Sequence, residues 1–186
     1  MSASPFIRTA SPRQATLAIL LLAAATISGA LASQHLFGLA PCPLCLQQRW
    51  PYYVGVPVAA AALLAPAAWL RPALALLALV FLLSAGLGAY HAGVEWGWFA
   101  GPSDCAGGTG APAGSVGDFL RDLQRTRVVS CSEAAWRFAG LSLAGWNALV
   151  SLGLAALALW GLAGGGRELS PSSFRGRAAE PGTHTR

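Results

Sequence analysis

The chain contains few charged residues and no lysine. Only 10% of its 186 residues are charged, 55% are hydrophobic and the mean hydropathy is +0.54. Soluble domains carry about 25% charged residues, so this composition excludes a protein that faces water on all sides. All twelve basic residues are arginine. We attribute that bias, together with the abundance of alanine and glycine, to genome composition and read no function from it.

Charge is also nearly absent from four long apolar stretches. Each stretch has close to the roughly 20 residues that a helix needs to cross the hydrocarbon core of a bilayer. We therefore predict an all-α fold, an integral membrane four-helix bundle with spans at residues 15–36, 52–70, 72–90 and 143–163. Residues 15–163 form one membrane domain in this prediction, residues 1–14 a short tail and residues 164–186 a disordered tail.

The arginines are distributed unevenly between the predicted loops. The two tails and the turn at Arg71 hold seven arginines against two glutamates, whereas the other two loops hold five arginines and five acidic residues. Because cytoplasmic segments carry the excess of positive charge, both termini are predicted to be cytoplasmic. The two balanced loops then face outward, and the net charge of +5 reflects topology and not a nucleic-acid partner.

The first span also resembles a cleavable signal peptide. Arg8 and Arg13 precede the apolar run, and Ala30-Leu31-Ala32 has the small residues of a cleavage site. Signal peptides have an apolar region of about 7–15 residues, and this run is longer. We therefore favour an uncleaved span, although cleavage would leave the later loops on the same sides.

All four cysteines fall in the two outward loops. Cys42 and Cys45 lie between the first two spans, and Cys105 and Cys131 lie between the last two. Two structural disulfides are one interpretation, but a bridge across two residues gains little stabilisation. A four-cysteine zinc site is another, but such sites prefer two close pairs. A thiol–disulfide relay is the third and is favoured, since close Cys-x-x-Cys pairs exchange readily.

The second outward loop has features that suit a relay. Cys105 precedes a glycine-rich run at 106–110, which predicts an exposed and mobile cysteine. Ser115 and Asp118 form a capping pattern, and apolar residues then recur at helical spacing. This predicts a short amphipathic helix lying on the outer membrane face, with packing on the protein's own loops as the alternative.

Several motifs in the sequence resemble those of a known family. Cys42-Pro43-Leu44-Cys45 is followed by Arg49, and the runs 90–96 and 131–146 flank Cys105 in the same order as in the DsbB family. Members of that family are disulfide-bond formation proteins of the bacterial inner membrane, which reoxidise the periplasmic oxidant DsbA with a quinone. The resemblance covers roughly residues 15–163.

The resemblance implies a role for six residues. Cys105 and Cys131 would be the pair that meets DsbA, with Cys105 attacked first. Cys42 and Cys45 would be the pair that faces the quinone. Arg49 would contact the quinone and His91 would lie near the same ring. Ubiquinone and menaquinone both remain open, and no metal is implied. Without the resemblance, Arg49 is an ordinary snorkelling arginine and His91 a residue of the interfacial belt.

Two expectations concern chemistry at the close pair. Cys45 is expected to be the thiolate that meets the quinone, because Arg49 follows it by one helical turn and favours its charged form. Pro51 leaves open whether these residues are helical or form a loop. For the function, a thiol oxidase resembling vitamin K epoxide reductase and a non-enzymatic scaffold or metal-binding protein are the alternatives to a DsbB-like enzyme.

Overall fold

The fold is a helical bundle whose helices are joined by short connections. A computed structural model describes residues 11–102, 130–134 and 136–164. The helices are α1 (Pro12–His35), α2 (Pro43–Gln47), α3 (Trp50–Leu64), α4 (Leu70–Glu95) and α5 (Leu143–Gly164). A 3-10 turn, Ala67–Trp69, joins α3 to α4. The predicted amphipathic helix at 115–125, Cys105, and residues 1–10 and 165–186 of the predicted tails lie outside the described residues.

Local sequence signals explain where the helices begin. Ser11 caps α1, because its hydroxyl accepts from the backbone N–H of Gln14 while the Gln14 side chain accepts from the backbone N–H of Ser11. This reciprocal pair satisfies two amide groups that a helix end leaves unpaired. Pro12, Pro43 and Pro51 occupy the first turns of α1, α2 and α3, where proline is tolerated.

The predicted membrane helices are found, with one difference. Three segments of the described chain are long and apolar enough to cross a membrane: α1, α5 and α4 taken with its preceding turn, Ala67–Glu95. The second predicted span, 52–70, corresponds to α3, which has 15 residues and is about 22 Å long at 1.5 Å per residue. It ends at Leu64, just before Ala65 and Pro66, because a residue that precedes proline is disfavoured in a helix. A fourth span is therefore not confirmed.

The helices pack closely because small residues lie between them. The core contains Ile19 of α1, Leu74, Leu77 and Phe81 of α4, and Leu154 of α5. α4 packs most extensively on α5, and α3 lies against both α1 and α4. A Cβ atom at Gly88 would lie 2.9 Å from the backbone nitrogen of Ala148, so this glycine permits the close approach of α4 to α5.

The last connection ends in a tight hairpin before α5. Strand β1 (Arg137–Phe138) pairs antiparallel with β2 (Leu141–Ser142). Ala139 and Gly140 join the strands with φ angles of 51° and 82°, the left-handed pair that a two-residue hairpin turn requires. The hairpin leads directly into Leu143, the first residue of α5. It therefore lies at the same end of the bundle as the cysteines.

Candidate functional site

The short helix α2 holds the close cysteine pair at one end of the bundle. Cys42 is the residue that caps α2, and Cys45 lies in its first turn. The sulfur of Cys42 accepts a hydrogen bond from the backbone N–H of Cys45 at 3.2 Å, and the two sulfurs lie 2.7 Å apart as free cysteines. Cys42 is buried and Cys45 is half-buried. The Cys-Pro-Leu-Cys sequence thus encodes both a helix start and a thiol pair.

The surroundings of the two thiols shift their pKa values in opposite directions. The hydrogen bond from the Cys45 side chain lowers the pKa of Cys42 from 9.0 to about 4, against the effect of burial. Hydrogen bonds from His91 and from the Cys45 backbone N–H lower it further. The pKa of Cys45 is raised, because its thiol shares the hydrogen bond with Cys42 and is desolvated. These contacts favour the thiolate on Cys42, whereas the sequence predicted it on Cys45.

A continuous chain of buried polar side chains leads to the Cys42 sulfur. Its members come from α3, α4 and α5 and from the turn before α3, and each lies within hydrogen-bond distance of the next. The distances are 2.9 Å from Ser84 to Ser151, 3.0 Å from Ser151 to Tyr52, 2.7 Å from Tyr52 to Asn147, 2.7 Å from Asn147 to Gln48, 2.5 Å from Gln48 to His91 and 3.6 Å from His91 to Cys42.

The order of donors and acceptors along these hydrogen bonds determines the tautomer of His91. The amide nitrogen of Asn147 donates to the Gln48 carbonyl oxygen, so the Gln48 amide nitrogen faces and donates to His91 Nδ1. Neutral histidine carries one ring proton, which must then be on Nε2. That N–H points at the Cys42 sulfur and donates to it. The bundle core thus holds an N–H donor against the Cys42 sulfur.

Arg49 lies beside the pair but does not share a helix with it. The chain leaves α2 at Gln47, and Arg49 caps α3. Its guanidinium donates to the Gln34 side-chain oxygen at 2.6 Å and to the backbone oxygen of Ala30 at 3.4 Å, both on α1. These contacts turn the cation toward α1, and the shifted pKa of Cys45 owes nothing to it. The loop alternative was right in that the next helix begins only at Trp50, after Arg49, but Cys45 lies in the separate short helix α2.

A cavity of about 310 Å³ opens next to the pair, between α1, α2, α3, α4 and α5. Cys45 faces this cavity, whereas Cys42 does not line it. Its wall is largely apolar, with polar groups on one side. The apolar part includes Ile27, Leu39, Leu143, Trp146 and Val150, and the polar part includes Gln48, Arg49, Tyr52, His91 and Asn147. Such a mixture suits a ring-shaped apolar ligand that carries hydrogen-bond acceptors.

The structure brings five of the six predicted site residues to the same end of the bundle. Cys131 is buried, packs in one cluster with Cys42 and takes part in a disulfide bond. Cys45, Arg49 and His91 share the cavity wall. Cys105 lies outside the described residues. The predicted site is therefore compact, and its second pair approaches the first through Cys131.

Sequence reasoning missed the polar partners of this site. Gln34 binds Arg49, and Gln48 and Asn147 connect His91 to the core. A signal was present, since an amide inside an otherwise apolar span marks a functional position. Asn147 is such an amide in the last predicted span. Glu95 was counted as a loop charge, yet it is the last residue of α4 and its side chain is only 5% exposed.

Helices long and apolar enough to cross a membrane, together with a pair of free thiols at one end of the bundle, are typical of a membrane thiol oxidoreductase. The family model described as "Disulfide bond formation protein DsbB" matches residues 12–161, so the chain belongs to the DsbB family.

Several curated proteins are similar to the chain. Disulfide bond formation protein B of Stutzerimonas stutzeri is 30% identical over 163 residues, which cover 84% of this chain and 98% of that protein. Its counterpart in Saccharophagus degradans is 31% identical over 81% of this chain and 92% of that protein. Protein B 1 of Pseudomonas aeruginosa is 41% identical over 47% of this chain and 53% of that protein. No solved structure matches the chain significantly.

Proposed function

We propose that this protein is a protein-dithiol:quinone oxidoreductase. It would reoxidise a periplasmic DsbA-like thiol oxidant and pass two electrons through Cys105–Cys131 and then Cys42–Cys45 to a membrane quinone. The protein would lie in the bacterial inner membrane with both termini cytoplasmic and the cysteine loops periplasmic. Family membership and the name of the relatives, disulfide bond formation protein B, support the activity class. They do not favour a structural scaffold or a metal-binding protein.

The cavity beside Cys45 is the observation that carries the quinone assignment. Its apolar wall and its volume of about 310 Å³ fit a quinone head group with part of an isoprenoid tail. Arg49 supplies a fixed cation and Asn147 an amide at the polar side, and both suit carbonyl oxygens that gain negative charge. A bound quinone supplies the acceptor for two electrons. Arg49, His91 and Trp146 are the residues that would hold it.

The two cysteines of the close pair then have different tasks. Cys45 is the sulfur in the cavity wall and would deliver electrons there. Cys42 lies on the other side, in one cluster with Cys131, and would be the sulfur that exchanges with the second pair. His91 would hold Cys42 as the thiolate while Cys45 retains its proton. This division follows from which neighbour each sulfur faces.

The energetics require a strong terminal acceptor. DsbA is itself a strong oxidant, with a potential of about −120 mV, and 30 mV corresponds to about 1.4 kcal/mol for a two-electron couple. Electrons taken from such a donor move forward only if the last step removes them. A quinone adjacent to Cys45 would provide that step, whereas a dithiol relay without an acceptor would stop after one turnover.

The test is oxidation of a reduced DsbA-like protein by the purified full-length chain. We expect catalytic turnover with added ubiquinone or menaquinone analogues and one turnover at most without them. Cys105→Ala should block oxidation of the partner, while the pre-reduced variant still reduces added quinone. Cys131→Ala should accumulate a mixed disulfide between Cys105 and the partner on non-reducing gels.

Three outcomes would overturn the proposal. Turnover at the same rate with and without added quinone would show that quinone is not the electron acceptor. A Cys105→Ala variant that still oxidises the partner would refute the proposed electron route, in which Cys105–Cys131 reacts before Cys42–Cys45. Stoichiometric zinc in the purified protein without turnover would favour the metal-binding alternative. Glu180→Gln, a charge change in the C-terminal tail, provides a control that should behave as the parent protein.

A further inference from the structure

Glu95 is a buried carboxylate with an unsatisfied oxygen. It is the last residue of α4, and its side chain is 5% exposed. Oε1 lies 3.9 Å from His91 Nε2, and Oε2 has no hydrogen-bond partner within the described residues. A carboxylate oxygen buried without a partner is costly and calls for an explanation, such as an ordered water or an exchangeable proton.

A second, smaller cavity connects Glu95 to the thiol pair. It has a volume of about 30 Å³ and is lined by Cys42, Cys45, His91, Glu95 and Glu133, together with the apolar residues Ala40, Leu143 and Ala144. A cavity of this size, with His91 and two carboxylates in its wall, has room for one water molecule. Glu133 is exposed, so the cavity reaches solvent on that side. Cys45 lines both cavities and therefore lies between the large one and the small one.

Oxidation of the pair requires a base for the remaining proton. In the reduced pair Cys42 is the thiolate and Cys45 the thiol. His91 does not accept this proton, because Nε2 carries a hydrogen that faces Cys42 and Nδ1 already accepts from Gln48. Among the groups around the small cavity, that leaves the two carboxylates. Glu95 is the buried one, and its charge also acts on Cys45.

We propose that Glu95 accepts the proton of the Cys45 thiol, across the small cavity, when the Cys42–Cys45 disulfide forms. In this step the S–H bond of Cys45 breaks, the S–S bond forms and two electrons leave to the oxidant. The oxidant, a quinone in the proposed function, takes up two protons. One is the Cys45 proton, handed on by Glu95, and the other comes from the aqueous side to balance the thiolate of Cys42. This inference deepens the proposed function and rests on it.

The experiment isolates this step from quinone binding. The parent for all variants is the full-length chain with Cys105→Ser and Cys131→Ser, reduced and freed of quinone. Closure of the Cys42–Cys45 disulfide is then driven by diamide, a small uncharged diazene that accepts two electrons and two protons. The rate is measured against pH in water and in heavy water for the parent, Glu95→Gln, Glu95→Asp and Glu133→Gln.

Glu95→Gln keeps the shape but accepts no proton, so we expect closure to slow at least 100-fold, the usual scale for losing a general base. The dependence of its rate on pH should lack the rise that a carboxylate base produces. Its solvent isotope effect should differ from that of the parent. Glu95→Asp should restore part of the rate. Glu133→Gln removes the same charge from the exposed end of the cavity, where water replaces it, and should stay within twofold of the parent.

Closure of Glu95→Gln at the parent rate, with the parent pH profile, would overturn the inference. If Glu95→Gln does not fold, as judged by its helix content and the thiolate absorbance of Cys42, the test passes to Glu95→Asp. A rate and isotope effect identical to the parent in that variant would equally overturn it. A parent that closes with diamide yet never reduces quinone would refute the proposed function instead, so the two failures are distinguishable.

Discussion

Replacing His91 by phenylalanine should raise the pKa of Cys42 by about 1–2 units. The His91 Nε2–H donates to the Cys42 sulfur at 3.6 Å, and it is one of the groups that lower the pKa of Cys42 to about 4. A hydrogen bond to a charged group is worth about 1.5–3 kcal/mol, and one pKa unit corresponds to about 1.4 kcal/mol. The larger contribution, from Cys45 itself, should remain, so the pKa stays below its ordinary value.

The measurement is a titration of thiolate absorbance in a single-thiol protein. Cys105, Cys131 and Cys45 are replaced by serine, and serine at position 45 keeps an O–H donor toward Cys42. His35→Phe is the matched control, because His35 is exposed at the end of α1. It should leave the pKa of Cys42 unchanged. A pKa of Cys42 that is the same with and without His91 would refute the assigned tautomer and the donor chain.

The same hydrogen bond makes the stability of the single-thiol protein depend on pH. The folded pKa of Cys42 lies below the unfolded one. The thiolate therefore stabilises the fold fully above the unfolded value of about 9 and loses this effect as pH falls toward about 4. His91→Phe should consequently lower the unfolding free energy at pH 9 more than at pH 4, measured by titration with a denaturing detergent. An equal loss at both pH values would contradict this reasoning.

Three further predictions concern the cavity wall and the helix packing. Arg49→Gln should raise the Michaelis constant for quinone with little change in exchange with a DsbA-like partner, and Arg49→Lys should recover part of the loss because it keeps the charge without the planar fork. Tyr52→Phe, which loses two hydrogen bonds to α5, should lower the unfolding free energy by about 1–2 kcal/mol, whereas the exposed Tyr53→Phe should not. Gly88→Ala should cost about 1–3 kcal/mol through overpacking against α5, while Gly86→Ala, which has open space beside it, should be neutral in the same detergent unfolding assay.

The apolar helices were predictable because hydropathy depends on local composition alone. Runs of uncharged residues account for α1, α4 and α5, which the structure confirms as long apolar helices. The shorter length of α3 was not predictable by the same measure. Ala65 and Pro66 are as compatible with an apolar window as their neighbours, yet the backbone restriction before proline ends the helix at Leu64. Hydropathy reports how apolar a segment is, whereas a single proline decides where a helix ends.

The site was predictable only in part, because its residues are distant in sequence. Cys42, Cys45 and Arg49 stand close together in the chain, so motif spacing found them. Asn147 donates to Gln48 across 99 positions, and no local pattern links the two. The acidity of the pair was also mispredicted, since one helical turn between Cys45 and Arg49 suggested an ion pair. The cation instead binds Gln34 of α1, a contact that depends on how α1 packs.

From the sequence, Arg49 was expected to have two roles, which were to favour a thiolate and to contact the quinone. In the structure, other groups surround the thiolate. The Cys42 thiolate is stabilised by the Cys45 thiol, the Cys45 backbone N–H and His91. Arg49 is held away from it by α1 and stands in the wall of the large cavity. A cation placed against the thiolate would make the thiolate a weaker reductant, because a more stable thiolate gives up its electrons less readily. Placed in the cavity wall, the same cation favours negative charge on whatever occupies the cavity. The chain therefore keeps its fixed positive charge in the wall of the large cavity and places hydrogen-bond donors against the Cys42 sulfur.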